Sequence, residues 1–125
     1  MANVITWFEI PTRDLERACK FYGTLFGIKL EPVLAGDRKL AMFPAAWDKG
    51  EIGGALIAGP GAKPSPDGAM IYLNAGEDLS KVLGKVQAAG GKVLVPKTKI
   101  PMDGAGFMAF FEDTEGNHVG LSSPK

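Results

Sequence analysis

Asp14-Leu-Glu-Arg-Ala-Cys-Lys-Phe-Tyr-Gly-Thr-Leu-Phe-Gly27 decides how this chain folds, because its pattern occurs twice. Asp78-Leu-Ser-Lys-Val-Leu-Gly-Lys-Val-Gln-Ala-Ala-Gly-Gly91 follows 64 positions later with the same layout. Leu15, Ala18, Cys19, Tyr22 and Leu25 fall on one face at helical spacing, and Leu79, Val82, Leu83, Val86 and Ala89 match them. Gly27 and Gly91 close the two stretches. Further on, Asp48 and Leu56 are answered by Asp113 and Leu121 at an offset of 65. Two copies of one unit in so short a chain predict a pseudo-symmetric fold. A site between related sheets would then draw on equivalent positions of both halves.

Working outward from the helices, Asn3 to Ile10 reads as a strand rich in β-branched and aromatic residues. Alternation puts Val4, Thr6, Phe8 and Ile10 on one face, and Ile5, Trp7 and Glu9 on the other. Thr12 is a plausible helix N-cap, and residues 13–26 are expected to be helical. Ile28–Leu34, Lys39–Pro44 and Ile52–Ala58 complete a βαβββ unit over 1–58. Gly59 to Gly68, rich in Gly and Pro, is the expected linker. The second unit, 69–125, has a strand at Ala69–Ala75, a helix at Leu79–Ala89, and strands at Lys92–Val95, Phe107–Phe111 and His118–Ser122. The expected class is α+β, one domain of two tandem βαβββ units forming a curved mixed sheet. A helix with one apolar face must cover one side of a sheet, leaving the other side free to form a cleft.

Composition narrows the function classes. Acidic and basic side chains balance at 14 each, which disfavours nucleic-acid capture or an anionic membrane surface. No apolar run approaches the roughly 20 residues of a membrane span. The first residues lack a basic stretch followed by an apolar signal core, so a cytoplasmic location is expected. One cysteine cannot build a disulfide framework or a Cys-based zinc site. Cys19, on the apolar helix face, reads as a buried thiol. Glycine spacings of the dinucleotide-binding or Walker type are absent.

Trp7-Phe-Glu-Ile-Pro, Asp14-Leu-Glu-Arg-Ala-Cys-Lys-Phe-Tyr22, Leu25-Phe-Gly27 and Phe110-Phe-Glu-Asp-Thr-Glu-Gly-Asn-His-Val-Gly-Leu121 together resemble the vicinal-oxygen-chelate superfamily. Glyoxalase I, bleomycin-resistance proteins, fosfomycin-resistance enzymes and extradiol dioxygenases belong to it. The resemblance covers almost the whole chain and implies the glyoxalase/bleomycin resistance-like fold. It also implies pairing of βαβββ units within or between chains, and hence a homodimer. Metal-dependent members of that family carry His, Gln or Glu at four equivalent strand positions. By the resemblance, those positions here are Trp7, Ala55, Gly120 and either Met70 or Ile71. None has a donor suited to a hard or borderline divalent cation, so no metal and no other cofactor is expected.

The remaining candidates concern an organic ligand. Trp7 reads either as a core side chain or as an aromatic plate for a small planar molecule. Trp47, Met70, Tyr72 and Phe107 are its expected companions in the cleft, or else core residues. Glu9 alternates with Trp7, so it is the best polar anchor or general base; the alternative is a tie to a neighbouring strand or a rim Arg or Lys. His118, the single histidine, should share the cleft-facing side of the last strand, either solvated or able to move a proton. Glu112 and Glu115 read as surface charges. Three functions stay open: a metal-free binder of a small apolar or planar molecule, a glyoxalase-like lyase/isomerase or extradiol dioxygenase, and a metal-free enzyme using Glu9 or His118.

Overall fold

The computed structural model describes residues 3–125, and the side chain of Trp47 also lies outside the described residues. In chain order it contains β1 (Trp7–Pro11), α1 (Leu15–Phe26), β2 (Val33–Ala35), β3 (Arg38–Met42), β4 (Gly53–Ala58) and β5 (Tyr72–Asn74). These are followed by α2 (Ser80–Leu83), β6 (Lys92–Lys99), β7 (Phe107–Glu112) and β8 (His118–Ser123), with a 3₁₀ turn at Trp47–Lys49 between β3 and β4. Each half is a βαβββ unit. The strands form two four-stranded mixed sheets, ordered β1-β4-β3-β2 and β5-β8-β7-β6. In each sheet the first strand of the unit runs parallel to the last, and the other pairs are antiparallel. No helix among the described residues is long and apolar enough to cross a membrane.

The first helix forms as its periodicity predicts. Leu15, Ala18, Cys19, Phe21, Tyr22 and Leu25 are its buried side chains, each large apolar one contributing about 1.5–3 kcal/mol by leaving water. Asp14, not Thr12, is its N-cap: the Asp14 carboxylate accepts from the Arg17 N–H. The Thr12 hydroxyl is instead buried and donates to the Ile57 carbonyl at 2.8 Å. At the other end Gly27 takes a left-handed φ of 63°, and the Ile28 N–H reaches back to the Gly23 carbonyl. That reversal favours glycine because a β-carbon disfavours this conformation.

The second helix is shorter than its periodicity predicts. Only Ser80–Leu83 winds as an α-helix. Beyond it Lys85 bonds Val82, Val86 bonds Leu83 and Gly90 bonds Gln87, all at the tighter three-residue spacing. Gly84 and the Gly90-Gly91 pair lower the intrinsic preference for a longer α-helix. The apolar stripe survives the change, since Leu79, Val82 and Val86 remain buried. Strand β6 is longer than expected, running on to Lys99. Pro96 fits there because β6 is an edge strand and its pairing with β7 slips between Val95 and Thr98.

Both units share one core. Phe21 meets Tyr22 edge-on at 5.0 Å and Phe111 of β7 at 5.7 Å, so α1 also packs on the second sheet. Ile10 and Leu56 from the first sheet join Leu73, Ala109, Phe111, Val119 and Leu121 from the second in the same buried cluster. The opposite faces of both sheets are turned away from it.

A polar network at the β7–β8 turn ties the halves together. Tyr22 Oη donates to Asp113 Oδ2 at 2.7 Å, and Asp113 Oδ1 accepts from the Glu115 and Asn117 backbones. Asn117 Nδ2 donates to Asp113 and to the Pro11 carbonyl, while its Oδ1 accepts from Ser65 N in the inter-unit segment. Glu115 is a correction to its expected place on the surface. Its side chain is fully buried and bidentate on Arg17, with Nε–Oε2 at 2.7 Å and Nη2–Oε1 at 3.0 Å. It also accepts from Arg13 N, Asp14 N and Thr114 Oγ1, satisfying donors at the start of α1. Burial alone would raise this carboxyl, but Arg17 and the other donors outweigh it and hold the pKa at about 2. Burial, reinforced by Asp113, pushes the Tyr22 phenol well above its ordinary value.

Candidate functional site

Strand alternation and register define the face of each sheet that looks away from the core. On the first sheet, Trp7 pairs with Gly53 and Glu9 with Ala55, which pairs in turn with Met42; Leu40 pairs with Ile57. Trp7 is 37% exposed and Met42 45% exposed on this face. On the second sheet, Tyr72 pairs with Gly120 and Gly120 with Phe110, while His118 pairs with Glu112. Tyr72 is 48% exposed and its ring meets Phe110 edge-on at 5.7 Å. Each open face thus presents one large exposed aromatic ring, Trp7 near Ala55 and Met42 and Tyr72 near Gly120 and Phe110. Such a surface suits flat apolar molecules.

Glu9 is held from two sides. Trp7 Nε1 donates to its Oε2 at 3.3 Å, and Arg38 Nη2 donates to its Oε1 at 3.0 Å. Arg38 reaches it because residues 38, 40 and 42 of β3 share the open face. The carboxylate is therefore tied to a rim arginine, as one of its two sequence readings expected. The Arg38 Nε is buried and lacks an acceptor among the described residues. Nothing in the sequence pattern around β3 singled out Arg38, because its partner lies 29 positions away.

His118 faces as predicted, on the side of Gly120, with Nε2 3.1 Å from Glu112 Oε1. Glu112 is thus paired with the histidine, not simply solvated. Glu9 and His118 come together: both line a cavity of about 150 Å³ where β1 approaches the second unit, with Pro11, Lys63, Ala69 and Asn117. Met70 is exposed just before β5. Phe107 takes the core side of its two readings. It alternates with Ala109 and Phe111, packs against the core cluster, and carries Lys97 Nζ 4.8 Å above its ring. Met108 and Phe110 occupy the open face of that strand instead. Cys19 is buried as expected, and burial raises its thiol pKa. A wider groove of about 500 Å³ runs beside α1, lined by residues such as Glu16, Lys20 and Lys29, and contains none of the predicted site residues.

The register also resolves the ambiguous position. Ala55 and Gly120 are equivalent in the two units, and their parallel partners are Glu9 and Tyr72. Two residues earlier on each strand, Trp7 is therefore matched by Met70, not Ile71. A β-carbon added at Gly120 would stand 2.7 Å from Cδ2 of Tyr72, so the tyrosine ring occupies the space above that position. Among the described residues, no three His, Cys, Asp or Glu side chains group as a cation site.

Residues 4–121 match the model of the Glyoxalase/Bleomycin resistance protein/Dioxygenase superfamily. The chain belongs to this superfamily. A glyoxylase-like domain-containing protein of Didymella fabae is 34% identical over 116 residues, covering 90% of this chain and 88% of that protein. A Mycobacterium bovis protein that carries a glyoxylase name is also 34% identical, over 119 residues. That match covers 92% of this chain but 43% of the relative, so this chain spans less than half of that protein. Among solved structures, an antibiotic binding protein from a Streptomyces species superposes with a TM-score of 0.63 at 24% identity, over 100% of this chain and 99% of that one. At that identity the likeness concerns the fold.

Proposed function

We propose that this superfamily member binds a small apolar or planar organic molecule on its open sheet faces without a metal ion. The observation that carries the reading is the residue set at the four equivalent positions, Trp7, Ala55, Met70 and Gly120. Indole, methyl and hydrogen side chains offer no lone pair for a cation, and a lone thioether is a poor match to hard or borderline divalent ions. The Tyr72 ring over Gly120 supports the same reading, since a ligating side chain there would collide with it. In this reading the residues do not fit the metal that other members use.

In this reading Trp7 and Tyr72 are stacking surfaces, and the Glu9–Arg38 pair fixes the polar edge of the ligand. Both open faces leave exposed aromatic and methionine side chains, which a second copy of the chain would cover. The protein is therefore proposed to work as a homodimer, and a strictly monomeric species in sedimentation at micromolar concentration would count against that. Thermal-shift screening of planar metabolites tests the binding claim, because a ligand that prefers the folded state raises apparent stability. The expected result is a ligand-dependent rise that Trp7→Ala abolishes. A rise unchanged in that variant would overturn the role given to Trp7.

A second reading, a glyoxalase-like lyase or isomerase, is favoured by the names of the two relatives. The cavity shared by Glu9 and His118 supplies the acid–base pair that a metal-free version would need. Turnover lost in both Glu9→Gln and His118→Gln would favour it over binding alone.

A further inference from the structure

The 150 Å³ cavity beside Glu9 has a counterpart at the opposite end of β1. By the register that equates Glu9 with Tyr72, Ile71 corresponds to Phe8, Ile10 to Leu73 and Pro11 to Asn74. Asn117, 65 positions after Ile52, corresponds to it in the last strand's approach. Phe8, Ile52, Leu73 and Asn74 line a second cavity, of about 350 Å³, together with Phe26, Ile28, Phe43 and Pro44. The duplication thus produced two hollows at equivalent places, and sequence divergence made them chemically different.

The two ends differ in their polar contacts. At the polar end Asn117 bonds the Pro11 carbonyl at 2.8 Å across the seam. Ile52, at the equivalent place, has no side-chain donor for such a bond. The Phe8 ring packs on Gly54, where any β-carbon would overlap it. Phe8 and Phe43 stand 5.6 Å apart and tilted by 39°, forming a fixed aromatic wall. Among the described residues no charged side chain lines this cavity. The Asn74 amide uses Oδ1 to accept from Gly76 N.

We propose that this cavity is a second binding site, distinct from the Trp7 face, for a neutral aromatic molecule of one or two fused rings. The volume lies in the range of small-molecule pockets, about 300–1,000 Å³. An uncharged aromatic lining favours an uncharged guest, because a buried unpaired charge would lose its hydration without compensation. The Asn74 amide N–H₂ can meet a single acceptor at the ligand's edge.

Indole is the probe, and protein NMR with the native chain is the measurement. The expected result is saturable binding with shift changes centred on the rings of Phe8, Phe26 and Phe43. Ile52→Trp, at a position 40% exposed on the rim, should weaken that binding at least tenfold, whereas Trp7→Ala should leave it within twofold. No saturable shift up to the solubility of indole would overturn the proposal. Shifts confined to the Trp7 and Tyr72 faces, abolished by Trp7→Ala, would also overturn it while supporting the first site. Because the wild-type shift map locates the ligand without any substitution, poor folding of Ile52→Trp would not rescue a failed proposal.

Discussion

Tyr72 lies across Gly120, its neighbour on the parallel strand β8, close enough that residue 120 cannot carry a side chain without displacing the ring. The pair makes this position part of an aromatic surface together with Phe110. Gly120 is not in the left-handed region, so the obstacle is packing alone. Gly120→Ala should therefore destabilise the protein by about 1–3 kcal/mol through overpacking. Tyr72→Ala in the same chain should recover part of that loss, and a double-mutant cycle by urea denaturation should read the coupling. Additive effects of the two substitutions would contradict this contact.

The Arg38–Glu9 pair is one-third exposed on each side, so its contribution to stability is small. Arg38→Met should change stability by less than about 1 kcal/mol. The same substitution should weaken binding of a planar ligand that carries a polar substituent, and should do so less for an unsubstituted one. Isothermal titration with a matched pair of ligands checks this. Equal losses for both would remove Arg38 from ligand recognition.

Glu115 makes stability depend on acid in a defined window. Its carboxyl pKa is about 2 in the folded chain against an ordinary value of 4.5. A group whose pKa is lowered by folding stabilises above the unfolded value and loses that contribution as pH falls through the folded one. The contribution should be complete above about pH 4.5 and disappear towards pH 2. Arg17 is half exposed, so solvent screening reduces the worth of the pair. Glu115→Gln should cost on the order of 2 kcal/mol at neutral pH and flatten the acid limb of a denaturation-against-pH curve. An unchanged limb would show that other carboxylates set it.

Tyr22→Phe removes one donor from a buried carboxylate that keeps Asn117 Nδ2 and two backbone N–H groups. The expected loss is about 1–2 kcal/mol. Asn117→Ala removes bonds to Asp113, Pro11 and Ser65 together and should also open the inter-unit segment around Ser65 to proteolysis. Equal protease resistance in wild type and Asn117→Ala would show that the segment is held otherwise.

The parts of the fold that repeat were readable from residue spacing. Leu15, Ala18, Tyr22 and Leu25 announce α1, and their matches in the second half announce another apolar stripe. Local spacing could not reveal that Gly84 and the closing glycine pair would tighten the second stripe into mixed turns. Nor could it place Glu115, because its partners Arg13, Asp14 and Arg17 lie about a hundred positions away and the burial depends on the two halves docking. At the candidate site, alternation gives the strand faces on which Trp7, Glu9 and His118 lie, and not what they do there. Alternation continued back from Phe111 would equally have put Phe107 on the core side. Arg38 escaped notice because its contact with Glu9 joins two strands far apart in sequence, and the cavity beside Phe8 because a hollow is a property of packing.

The claim that matters most is that the scaffold binds without a metal. The direct measurement is dialysis of the purified protein with Zn²⁺, Ni²⁺, Mn²⁺ or Fe²⁺, followed by removal of free ion and elemental analysis per chain. The account predicts metal well below stoichiometric for all four ions, with planar-ligand binding unchanged by a chelator. One tightly held metal per chain, lost together with ligand binding when the chelator is added, would contradict it.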